Sequence, residues 1–74
     1  MKNIVNQIRV IKNSKLENIE KASMINYIIK QNSRYISNEA LFNLGIMCAD
    51  LYRYDKNDIV FENTVIEMIG VLEK

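Results

Sequence analysis

Seventy-four residues make one domain, and a chain this short buries only ~60% of the surface its unfolded form exposes. A single cysteine excludes an intrachain disulfide, and the absence of histidine removes a common zinc ligand and the commonest general base near neutral pH. Regular helix packing or a second chain must therefore supply what a thin core does not, while the net charge of +1 conceals halves of +5 (residues 1–36) and −4 (37–74).

The apolar residues recur at helical rather than alternating spacing, and there is no proline. The pattern predicts an all-α fold, a small antiparallel bundle of four helices near 2–12, 15–32, 38–53 and 58–73, with a second copy completing it. In the first segment Ile4, Ile8 and Ile11, widened by Val5, form one stripe that Asn13 ends. "SKLE" then has the form of a capping box, with Ser14 capping the second helix and Glu17 returning to it. Leu16, Ile19, Ala22, Ile25, Ile28 and Ile29 give that helix a broad apolar face, up to the polar run "KQNSR".

Ser37 is the predicted N-cap of the third helix, with Glu39 in its first turn, where the positive end of the helix dipole favours an anion. Leu41, Leu44, Cys48, Leu51 and Tyr52 form a seam, flanked by Phe42 and Ile46. Gly45 costs such a helix about 1 kcal/mol relative to alanine, which predicts that another backbone approaches there. Asn57 or Asp58 caps the fourth helix, whose stripe is Phe61, Val65, Met68, Ile69 and Leu72.

The chemistry that remains open is narrow. Cys48 lies inside an apolar seam, the ordinary place of a small structural thiol. Asp55 and Asp58 sit beside Arg53 and Lys56 with nothing to desolvate them and raise a carboxyl pKa, so the expectation is a non-enzyme without cofactor. "DKND" opens like a calcium loop, but Val60 stands where the turn needs glycine and Ile66 where the bidentate glutamate belongs. A tetratricopeptide-type repeat fails because a 34-residue shift sets Val10-Ile11 against Leu44-Gly45. No apolar run approaches the ~18 residues of a membrane span. The opening "MKNIVNQIRV", interrupted by Asn6, Gln7 and Arg9, lacks a signal peptide's continuous apolar segment. A cytoplasmic location is the expectation, and the wealth of Ile, Asn and Lys fits an AT-rich source such as a low-GC bacterium or its phages.

Contact with another protein is the function that survives these exclusions, in the manner of a regulator, immunity protein or inhibitor. The surplus of apolar residues on the fourth helix, Ile59, Val60, Ile66 and Val71 beyond its stripe, predicts a homodimer. The stretch "ADLYRYDKNDIVFEN" supplies the candidate protein-binding residues Tyr52, Arg53, Tyr54, Asp55, Asp58 and Glu62, since Tyr and Arg are enriched at interface hot spots and the acids suit a basic partner. The alternative is a DNA- or RNA-binding regulator that uses Arg9, Lys12, Lys15, Lys30 and Arg34 of the basic half on phosphates.

Overall fold

The computed structural model describes residues 2–74. It contains α1 (Lys2–Lys12), α2 (Asn18–Gln31), α3 (Asn38–Arg53) and α4 (Asp58–Glu73), with a single 3-10 turn at Ser33–Tyr35 and no strand among the described residues. The helices form an antiparallel up-and-down bundle: each packs on its neighbour in sequence, and α1 closes the ring against α4. No helix is long and apolar enough to cross a membrane.

The stripes read from the sequence converge on one core. Ile4, Val5, Ile8 and Ile11 are buried from α1, and all five stripe residues of α4 are buried with them. Ala22, Ile25 and Ile29 enter from α2, and Leu44, Cys48 and Leu51 from α3. Among the described residues no polar or charged side chain is buried, so the interior carries no desolvated group in need of a partner. Each fully buried Ile or Leu contributes about 1.5 to 3 kcal/mol relative to exposure, which is why a chain this short concentrates them on four facing stripes.

Helix 2 begins later than its sequence pattern implied. Ser14 belongs to the end of α1: its hydroxyl donates to the Ile11 carbonyl at 2.6 Å, and its amide reaches the same oxygen at 3.1 Å. The cap of α2 is Glu17, whose amide donates to Glu20 Oε1 at 3.1 Å. The Ser14 hydroxyl is committed to closing α1, and residues 13–17 form the connection between the two helices. Leu16 therefore lies in the connection and Ile19 on the surface, and neither joins the buried face expected of them. The other caps stand as read. Ser37 Oγ accepts from the Ala40 amide at 3.1 Å, and Asn57 Oδ1 from the Val60 amide at 3.2 Å.

Candidate protein-docking face on α3

The two flanks of the bundle are built differently. Along the α1/α4 seam Arg9 pairs with Glu73 and Lys12 with Glu62, each at 3.1 Å. Part of the charge asymmetry between the chain's halves is thus closed internally, with basic α1 against acidic α4. Along the α2/α3 seam there is no ion pair among the described residues. Its cross-link is neutral, Tyr52 Oη donating to Ser23 Oγ at 3.2 Å.

That link sets the alignment of the flank. One turn before and one turn after Ser23, on the same side of α2, stand Ile19 and Tyr27, both exposed. On α3, at 3.6 residues per turn, Phe42, Ile46, Ala49 and Arg53 fall opposite the buried Leu44 and Leu51 and therefore face solvent. Phe42 is 71% exposed and Ile46 52%. From Ala40 to Ala49 the helix carries no charge at all, the first charges being Glu39 before and Asp50 after. An uncovered aromatic and aliphatic face of this kind marks an interaction site more often than scattered single residues do.

Gly45 lies beside this face. A Cβ built on it would meet nothing within 4 Å, so the close backbone approach expected of it does not occur within the chain. The leftover apolar residues read on α4 are divided by the fold. Val60 and Val71 are half-buried, whereas Ile59 and Ile66, two turns apart on one side of the helix, are exposed to a similar degree as Phe42 and Ile46. Ile66 lies in the groove against α1, beside Arg9 and Glu73.

The six residues proposed from the α3–α4 joint are divided among three places. Tyr52 and Arg53 belong to the last turn of α3, on the flank just described. Tyr54 is the C-cap of α3, its amide donating to the Asp50 carbonyl at 2.9 Å while its own carbonyl accepts from Asn57 at 3.0 Å. Asp55, Asp58 and Glu62 line a recess of about 460 Å³ together with Lys12, Asn18 and Lys21. There the polar groups satisfy one another. Asn18 Nδ2 donates to the Asp55 carbonyl at 2.9 Å and to Asp58 Oδ1 at 2.7 Å, Lys21 Nζ donates to the Lys12 carbonyl at 2.8 Å, and Glu62 holds Lys12. These contacts stitch the start of α2 to the start of α4. From Asp58 onward the chain is helical, so the calcium-like "DKND" leads into a helix rather than a coordinating loop. Among the described residues no three His, Cys, Asp or Glu side chains cluster as a metal site would need.

The candidate phosphate contacts do not share a face. Arg9 and Lys12 are engaged with α4, whereas Lys15 lies in the α1–α2 connection and Arg34 in the 3-10 turn beyond the other end of α2. Lys30 stands toward α3, close enough to Cys48 to favour its thiolate, although burial outweighs this and pushes the thiol pKa up. The residues that the sequence left as flank and spacer, Phe42, Gly45, Ile46 and Ala49, lie on or beside the solvent side of α3. Their signal was the uncharged run itself, because ten such residues on a helix put apolar groups on both of its sides. No family model, no curated protein and no solved structure matches the chain.

Proposed function

We propose that this chain is a non-enzymatic helical protein that works in the cytoplasm by docking on protein surfaces, as small regulators, immunity proteins and phage- or plasmid-encoded inhibitors do. Its docking surface is the solvent side of α3 with the adjoining edge of α2. The observation that carries this is the uncharged, unpacked stretch of α3 around Phe42 and Ile46. Phe42, 71% exposed on a regular helix, joins Ile46 in an aromatic and aliphatic cluster that, rimmed by Tyr and Arg, has the composition of an interface centre. Tyr27, Tyr52 and Arg53 supply that rim. The engagement of Arg9 and Lys12 with α4 and the placement of Lys15, Lys30 and Arg34 in three further places support protein rather than nucleic acid as the partner, since a phosphate backbone is held by cations in a continuous track.

The test is a comparison of affinity pull-downs from host lysate, read by mass spectrometry, between the natural chain and a Phe42→Asp/Ile46→Asp variant of unchanged circular dichroism and melting. Proteins held by the natural chain and lost from the variant are the expected result. Identical capture by both would remove α3 as the docking surface. Retention on heparin together with a salt-sensitive shift of duplex DNA would replace the proposal with the phosphate-binding alternative.

A further inference from the structure

Along the solvent side of α3, Glu39, Phe42, Ile46, Ala49 and Arg53 follow one another at steps of three, four, three and four residues. This is the spacing that keeps a stripe turned toward a second helix in a coiled coil. The stripe is apolar in its middle and oppositely charged at its two ends. Glu39 and Arg53 lie four turns apart, about 21 Å along the axis at 1.5 Å per residue, too far to pair with each other. Among the described residues neither takes part in an ion pair.

A second α3 laid antiparallel across the first, with a two-fold axis at Ile46, brings Arg53 of each copy opposite Glu39 of the other. A parallel copy would instead set glutamate on glutamate and arginine on arginine. The antiparallel arrangement also places Ile46 against its own equivalent on the axis, with Phe42 and Ala49 on either side. Beside the axis Gly45, which has open space where a side chain would stand, lets the two helices approach closely. We propose that the occupant of this face is a second copy of the chain, packed antiparallel through α3 about a two-fold axis at Ile46, with Glu39 and Arg53 paired across both ends. The proposal rests on the reading of α3 as a docking surface and names what docks there. It moves the dimer contact from α4, where the surplus of apolar residues had placed it, to α3. The two exposed ion pairs add little affinity; they fix direction and register, as charged flanks do in coiled coils.

Sedimentation equilibrium over a range of concentrations tests this directly. The natural chain is expected to show a reversible monomer–dimer equilibrium. Ile46→Asp, which puts a charge on the axis, weakens it by at least about tenfold, with melting of the monomer within a few degrees of the natural chain. Glu39→Arg and Arg53→Glu each weaken self-association. An equimolar mixture of these two variants regains it, because both cross pairs form in the mixed dimer, and the double variant associates like the natural chain. The proposal is overturned if the natural chain stays monomeric at every concentration, if its dimer is indifferent to Ile46→Asp, or if the mixed variants associate no better than either alone. A monomeric chain whose Phe42→Asp/Ile46→Asp variant still loses a heterologous protein overturns only the second copy and leaves α3 as the docking surface. Loss of neither self-association nor capture overturns both.

Discussion

Replacing Gly45 with alanine is expected to make the folded monomer more stable. In a helix interior glycine is about 0.8 to 1.0 kcal/mol less favourable than alanine, because it gives up more backbone freedom on folding. At many buried glycines a clash of the new methyl offsets that gain. Here no atom lies within 4 Å of where the methyl would stand, and the residue is exposed in the middle of α3, so the full propensity term of about 1 kcal/mol should appear. For a domain of this length 1 kcal/mol moves the midpoint of thermal unfolding by about 4 to 8 °C. The measurement is a circular dichroism melt and a urea titration at a concentration where sedimentation shows the monomer. An unchanged or lowered midpoint would refute the reasoning, since it would mean either that the backbone at Gly45 is not helical or that something already occupies the space beside it.

Leu44 is fully buried, and its truncation to alanine should cost about 2 to 5 kcal/mol, close to the roughly 3 to 5 kcal/mol that a core of this size supplies. Urea unfolding of Leu44→Ala should therefore lose most of its native baseline; a transition near that of the natural chain would take Leu44 out of the core. Asn18→Ala removes both hydrogen bonds that join α2 to the α3–α4 joint and should cost about 1 to 2 kcal/mol, with an undetectable change arguing that the stitch is ornamental. Burial raises the Cys48 thiol pKa above its ordinary 9.0, partly opposed by Lys30. The unfolded chain loses that proton first as pH rises, so the thiol's stabilising contribution is complete below about pH 9 and declines above it. Urea midpoints from neutral to alkaline pH should fall faster for the natural chain than for Cys48→Ala, and parallel curves would contradict the shift.

Much of the fold was legible because the buried stripes of α1, α3 and α4 are clean, and because Ser37 and Asn57 stand at the two caps where their side-chain oxygens meet free amides. The start of α2 was not legible for a specific reason. Ser14 is the favoured residue type for a cap and heads the box pattern, whereas Glu17 is not; that the Ser14 hydroxyl closes the end of α1 on the Ile11 carbonyl instead is not contained in the local pattern. The docking face was hidden in a similar way. Phe42 and Ile46 lie within a helix that is apolar on both sides, so periodicity identifies the seam of Leu44 and Leu51 without saying whether the other side is covered. Only the placement of α2 and α4 on two sides of α3 shows that the third is bare. The joint residues were easier to find than to interpret, since Asp58 and Glu62 are polar and conspicuous in sequence yet their carboxylates are bound to Asn18 and Lys12 in the fold, and Asp55 contributes its backbone carbonyl to the same contact.

The closure of α1 on α4 has a kinetic corollary. Three of the four seams join helices that follow one another directly, whereas Arg9 and Glu73 meet across 64 positions. Short-range hairpins form early and at small loop-closure cost, and the distant pairing follows once they exist. The α1–α4 seam should therefore shut last and reopen first. Exchange along that seam would then proceed through a partial opening that leaves the three sequential pairings in place, and the α3 surface would persist in a molecule whose first and last helices have momentarily parted.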